Sequence, residues 1–228
     1  MALKGSAFVI MWHDIAPEAD AEYNLWHTRQ HMPERLDHPG FRRSRRGINR
    51  ALSRQIYFTC YEGDGLETFV SPEYLASLNG PTDWTRSVAP HFRNFLRMAC
   101  TVLHTSGRGS GGGVVTSRFA LPAGVDEAAM AERIRPLLHR FADHPSVTAA
   151  HLGAARPRFA GGETSETDLR PPMAEPAFAL VVYLETIGLP EATALQDELA
   201  VALGELAASD QIVQSYAVAY TLERREAQ

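Results

Sequence analysis

The stretch "ERLDHPGF", residues 34–41, decides the fold. It reads as the end of a helix, a proline-and-glycine turn and the first residue of a strand. Its tripeptide Asp37-His38-Pro39 returns at Asp143-His144-Pro145, inside "HRFADHPSV" (139–147). The spacing is 106 residues, and at that offset other features fall into step. "FVIMWHDI" (8–15) lies on "VVTSRFAL" (114–121), Asp20 on Asp126 and Gly47 on Gly153. An internal repeat of this length means two related units in one chain.

Working outward, hydrophobic periodicity gives both halves the same order of elements. The first half predicts strand 6–14, helix 18–36, strands 41–49 and 54–62, helix 65–78 and strand 93–104. The second predicts strand 114–121, helix 125–142, strands 147–154 and 177–185, helix 189–207 and strand 212–222. Each half is therefore βαββαβ, the ferredoxin-like motif. Such a unit covers only one sheet face with helices, so two units can bury their bare faces together. The expected class is α+β: two tandem ferredoxin-like βαββαβ units packed sheet to sheet as an intrachain dimeric α/β barrel. Residues 1–105 form the first unit and 114–228 the second, with "SGRGSGGG" (106–113) read as a flexible linker. Two additions stand out. "NGPTDWTRSVAPHF" (79–92) contains a short helix capped by Thr82 or Asp83, and "ARPRFAGGETSETDLRPPMAEP" (155–176) reads as an extended or partly disordered loop.

Composition excludes several classes. The longest apolar runs, such as "AFALVVYL" (177–184), are too short to span a membrane. The N-terminus reads as a first strand, not a signal peptide. Two isolated cysteines give neither a disulfide framework nor a cysteine zinc site. These features lead to a cytoplasmic protein with a small-molecule partner and no membrane or nucleic acid. A net charge of −5 fits that expectation. The five arginines of "FRRSRRGINR" (41–50) are read as a solvated strand and loop, one of which could hold a substrate carboxylate. A pseudo-dimer within the chain is expected, and a homodimer remains open.

The βαββαβ order, the tandem halves and "WHTRQHMPERLDHPGF" (26–41) resemble the dimeric α/β-barrel superfamily, in particular its EthD-like and stress-responsive branch. The residues carrying the resemblance are Trp26, His31, Met32, Pro33, Pro39, Gly40 and Phe41. The superfamily includes lactone isomerases, polyketide cyclases, cofactor-free monooxygenases and haem-handling enzymes, so the resemblance implies a fold and leaves the reaction open.

On a helical wheel with Tyr23 at zero, Glu34, His27 and His31 fall at about 20°, 40° and 80°. Ala21, Leu25, Met32 and Leu36 gather opposite, at about 160–220°. One face thus joins Tyr23, His27, His31 and Glu34, with Trp26 beside it. Imidazoles titrate near neutral pH and suit acid/base work. His27 or His31 is the expected base, and Tyr23 the acid or oxyanion donor. Glu34 or Asp14 could orient a ring, and His13 joins the set from the first strand. Trp12, Trp26, Arg35 and Trp84 are expected to contact substrate. No cofactor is called for. The i, i+4 histidine pair could still be half of a metal site completed by His13 or Glu34, or one histidine could ligate haem.

The second copy acts as a control. Trp26, His27, His31 and Glu34 align with Glu132, Arg133, Leu137 and Arg140, and His13 with Phe119. The turn survives and the candidate chemistry does not. The leading expectation is a cofactor-independent isomerase, cyclase/dehydratase or lyase acting by proton transfer on a small, apolar, aromatic or cyclic substrate. A non-catalytic binding or stress-response protein and a metal- or haem-dependent enzyme are the alternatives.

Overall fold

The computed structural model describes residues 3–160, 162–174, 178–206 and 208–224. Residues 161, 175 and 176 of the long insertion, Ala177 of the expected strand 177–185 and Ala207 of the expected helix 189–207 lie outside them.

The first half runs β1 (Ala7–Ile15), α1 (Asp20–Trp26), a π-turn (His27–His31), α2 (Met32–Asp37), β2 (Phe41–Ile48), β3 (Tyr57–Gly63), α3 (Pro72–Asn79), α4 (Asp83–Val88) and β4 (Phe92–Gly107). The second runs β5 (Gly113–Ala120), α5 (Glu127–Ala142), β6 (Val147–Ala155), α6 (Ser165–Asp168), β7 (Leu180–Thr186), α7 (Leu189–Ala194), α8 (Gln196–Glu205) and β8 (Ser209–Glu223). The eight strands close into one antiparallel barrel in the order β1-β3-β2-β8-β5-β7-β6-β4. The halves meet by strand pairing at two seams, β2 with β8 and β4 with β6. Closure removes every exposed sheet edge, which face-to-face packing alone would not do.

Alternation along each strand sends side chains either into the barrel or under the helices. On β1, Phe8, Ile10 and Trp12 join the barrel interior, with Phe58, Tyr183 and Tyr216. Val9, Met11 and Ile15 join the layer beneath α1–α4. The second half has its own helix-covered layer, where Phe119, Ile134, Leu138 and Phe141 pack with Leu180, Val182 and Leu184. That layer carries Phe119 and Leu137 at the positions matching His13 and His31.

Two local readings change. The glycines at the junction are held by close contact rather than spent on freedom. A Cβ on Gly111 would stand 1.9 Å from the Thr186 carbonyl oxygen, and the Gly109 and Gly112 amides donate to the Thr148 and Ile187 carbonyls. Three of the five arginines of 41–50 are not solvated, while Arg42 and Arg50 are exposed as expected. Arg43, Arg45 and Arg46 are buried, and Arg45 reaches Glu62 at 2.9 Å and Glu185 at 2.6 Å inside the barrel. His151, beside them, meets Glu185 at 3.3 Å.

The described part of the 155–176 segment also has local structure that its composition does not imply. It starts at the β4–β6 seam, where the Arg156 amide donates to the Ala99 carbonyl, so it emerges over the first half. Thr164 and Thr167 form a capping box on α6. Glu166, on that short turn, is buried.

Candidate active site

The helical stretch 20–37 is continuous but not uniformly α. His27–His31 form a π-turn, closed by the Met32 amide donating to the His27 carbonyl. Pro33, which has no backbone N–H to donate, lies two residues beyond it. Proline alone is not the cause, because Pro136 sits inside α5 without a π-turn. The effect on packing is clear. On a regular helix, residues five apart point about 140° away from one another. Here the rings of Trp26 and His31 lie 4.2 Å apart between centroids. Both side chains face the sheet and are buried. The aromatic face is therefore an inner one, while Leu25, from the opposite side of the wheel, is 49% exposed.

Beneath the helix the rings form a chain. His13 Nε2 lies 2.9 Å from the Tyr23 hydroxyl, and its ring stacks on Tyr57 at 9°. Tyr23 stacks on His27 with centroids 5.2 Å apart, and His27 lies 5.6 Å from His31. The two candidate bases differ in their bonding. Arg46 Nη1, always a donor, lies 3.3 Å from His27 Nδ1. His27 Nδ1 therefore accepts, and the proton sits on Nε2, which donates to the Tyr61 hydroxyl oxygen at 3.2 Å. Both nitrogens of His27 are committed. His31 has no hydrogen-bond partner among the described residues, and its Nδ1 is buried.

His31 lines a cavity between helix and sheet, walled by Phe41, Tyr61 and Tyr74 and roofed by Glu166, Thr167 and Arg170 from the 155–176 segment. Its volume is about 20 Å³, room for about one water. Arg35 and Arg97 also face it. Glu166 pairs with both Arg35 and Arg170. Arg97 donates to the Ala160 carbonyl and, at 3.3 Å, to the Tyr74 hydroxyl.

Burial sets the protonation states. It lowers the His13 pKa to about 3, helped by Arg170 and Arg46. It drives His27 down as well, with His31 and Arg46 adding to the effect. His31 is driven down by burial and then by Arg35, Arg170 and Arg97. All three imidazoles are neutral near pH 7. Burial pushes the Tyr61 and Tyr23 hydroxyls upward, so both remain protonated and able to donate.

The remaining sequence-predicted residues are dispersed. Glu34 points away from the rings and accepts from Gln30 at 2.7 Å. The π-turn spoils the regular phase that placed Glu34 with the histidines. Trp12 is inside the barrel, bonded to Thr116 at 3.2 Å and under Arg118, because its side chain takes the opposite sheet face from His13. Trp84 donates to Glu22 at 2.6 Å and caps the α1–α4 contact instead of the cavity. Tyr23 is beneath the cavity, its hydroxyl engaged by His13. Asp14 accepts from the Gln55 and Ile56 amides at 2.8 Å and orients no ring. Sequence reasoning missed Tyr61, Arg46, Glu166 and Arg170. Strand alternation could have found the first two.

Among the described residues, no group of three His, Cys, Asp or Glu side chains is placed to hold a metal ion. His13, His27 and Glu34 point to different partners.

No family profile matches the sequence, and no curated protein matches it. Solved structures do. The chain aligns over 99% of its length, and 96% of the other, with an anthrone oxidase-like protein at TM-score 0.67 and 14% identity. A candidate monooxygenase from Fusobacterium nucleatum aligns over 97% and 96% at TM-score 0.64 and 8% identity. The fold is that of a ferredoxin-like dimeric α/β barrel. A further candidate monooxygenase of this barrel fold, from Lactobacillus acidophilus, aligns over 97% of both chains at TM-score 0.58 and 10% identity. No described helix of the barrel is long and apolar enough to cross a membrane.

Proposed function

We propose that the first-half cavity, widened by outward displacement of the α6 turn that roofs it, is the active site of a cofactor-independent acid/base enzyme acting on a small aromatic or cyclic substrate. The observation carrying this reading is the contrast between the two histidines. His27 is locked by Arg46 and Tyr61, whereas His31 presents a neutral, unbonded ring to the cavity. His31 takes a proton from an activated carbon. Tyr61, whose oxygen accepts from His27, has its own hydroxyl proton free to meet the developing enolate oxygen. Arg46 and His27 position Tyr61. Isomerisation, cyclisation, dehydration or carbon–carbon lysis all follow from the same first step. On this reading the chain is an EthD-like barrel protein working in the cytoplasm, its two halves standing in for two subunits.

The names of the neighbours favour one further outcome, in which the carbanion meets dioxygen. A carbon–oxygen bond forms, the proton on His31 completes a hydroperoxide, and loss of water leaves a carbonyl. A CH₂ carbon is oxidised, one oxygen atom of dioxygen stays in the carbonyl and the other leaves as water.

Proton transfer is tested without knowing the product. The protein is incubated in deuterium oxide with a panel of enolisable aromatic and cyclic ketones, anthrone included, and label uptake is followed by NMR. Wild-type protein accelerates exchange, His31→Gln abolishes the acceleration, and Tyr61→Phe slows it by about a hundredfold. Oxygen consumption separates the second outcome. No acceleration across the panel, or none lost in His31→Gln, refutes the reading.

A further inference from the structure

Two clusters of buried charge have different arithmetic, with buried Arg46 and Arg118 lying outside both. Inside the barrel, Arg43 and Arg45 are matched by Glu62 and Glu185. Two cations meet two carboxylates, as a cluster with a structural role requires. At the cavity, Arg35, Arg97 and Arg170 face a single carboxylate, Glu166. Glu166 is their one paired acid among the described residues. The surplus positive charge is held where water is excluded, and that is costly unless an anion completes it.

Three further observations point to a ligand. Arg170 has a side chain only 8% exposed, yet its Nε finds no partner. Arg170 also lies over the faces of Phe92 and Phe95, each centroid 5.3 Å from its guanidinium carbon, beside the aromatic walls of the cavity. Finally, Glu166 comes from an added segment and not from the barrel. The matching connection of the first half, 49–56, is short and carries nothing equivalent. The carboxylate can leave its seat without breaking a strand pair.

We propose that Arg35, Arg97 and Arg170 form a binding site for the carboxylate of a small aromatic acid, and that Glu166 occupies this seat as an internal substitute. The ligand carboxylate takes over the guanidinium donors, its ring lies against Phe41, Tyr61 and Tyr74, and the α6 turn that carries Glu166 moves outward to make room while Arg170 stays over Phe92 and Phe95. Planar guanidiniums are suited to such a group, since they give paired donors in a carboxylate's own geometry. The inference rests on the proposed function only in placing the acid beside His31. Binding itself needs no proton transfer.

The test uses 2-naphthoate and its neutral amide, 2-naphthamide, titrated calorimetrically into the full-length protein. Glu166→Gln removes the internal carboxylate while keeping its shape. The expected result is that the variant binds 2-naphthoate at least about tenfold more tightly than wild type does. It also prefers the acid over the amide by a similar factor, and Arg170→Met loses the preference. His31→Gln retains naphthoate affinity within about threefold, so failure of the catalytic reading leaves this one standing. Three results overturn the proposal: no binding of 2-naphthoate to Glu166→Gln up to about 10 mM, equal binding of acid and amide, or unchanged affinity on removing the Glu166 charge. If Glu166→Gln does not fold, the comparison of acid with amide on the wild-type protein decides by the same criterion.

Discussion

His13 makes the fold sensitive to acid in a way that can be worked through. The ring is 2% exposed, stacked on Tyr57 and tilted against Phe92. One nitrogen meets Tyr23 and the other has no partner. A proton added there is a cation among aromatic rings with Arg170 and Arg46 nearby, and its pKa is accordingly about 3. In the unfolded chain the same histidine titrates near 6.5. The folded value is the lower one, so on acidification the unfolded chain takes up the proton first. The stability contributed is full above about pH 6.5 and is lost as pH falls toward about 3. At 1.36 kcal/mol per unit the whole window is worth on the order of 5 kcal/mol, and the part between about pH 7 and pH 5 about 2 kcal/mol. Urea midpoints at these two pH values, for wild type and His13→Gln, isolate the term. His27 and His31, depressed in the same direction, act in both proteins and cancel in the double difference. His13→Gln should lose about 2 kcal/mol less than wild type over this interval. Equal losses in the two proteins would refute the buried, neutral assignment.

Other perturbations have equally definite outcomes. Gly111→Ala drives a methyl group into the Thr186 carbonyl and should cost about 3 kcal/mol in chemical denaturation. Gly124→Ala, at φ +76 with nothing nearby, should cost only about 1 kcal/mol. Burial works to raise the Glu185 pKa, but the His151 hydrogen bond and Arg45 outweigh it and hold it at about 2. Glu185→Gln leaves Arg45 short of a counter-charge and should destabilise by roughly 3–5 kcal/mol. The stability that Glu185 supplies is present above about pH 4.5 and fades as pH falls toward about 2. Thr85→Val removes the 3.3 Å acceptor of the Trp26 indole N–H and should cost about 1 kcal/mol, read from the thermal midpoint.

The strand and helix order was legible because it rests on local periodicity and on a repeat that can be counted. The Asp-His-Pro turns place both halves in register, and β1, β2, β5 and β6 follow closely. The seams were not legible, since alternation tells a strand which face is apolar and not which neighbour it pairs with. Tyr23, His27 and His31 were correctly put on one helix face. Their order of importance was hidden, because the π-turn changes which residues are neighbours and no wheel at 100° contains it. Polar composition made 155–176 read as loop. Arg35 and Glu166 are 131 positions apart in the chain, and nothing local in either stretch announces the other. Three of the five arginines, Arg43, Arg45 and Arg46, were misread for a related reason: a charged residue is counted as solvated until its buried partner is known.

The β4–β6 seam has a consequence for descent as well as for folding. In a barrel assembled from two identical chains, every substitution is made twice, and a segment grown after β2 would roof both pockets at once. With both halves in one chain the two sides are inherited separately. One can gain a roof over the other's pocket while its own helix fills with leucine and isoleucine. The short 49–56 connection and the long 155–176 segment are the marks of that freedom. A single lineage can tune a pocket on one side without the change having to be compatible with its mirror position.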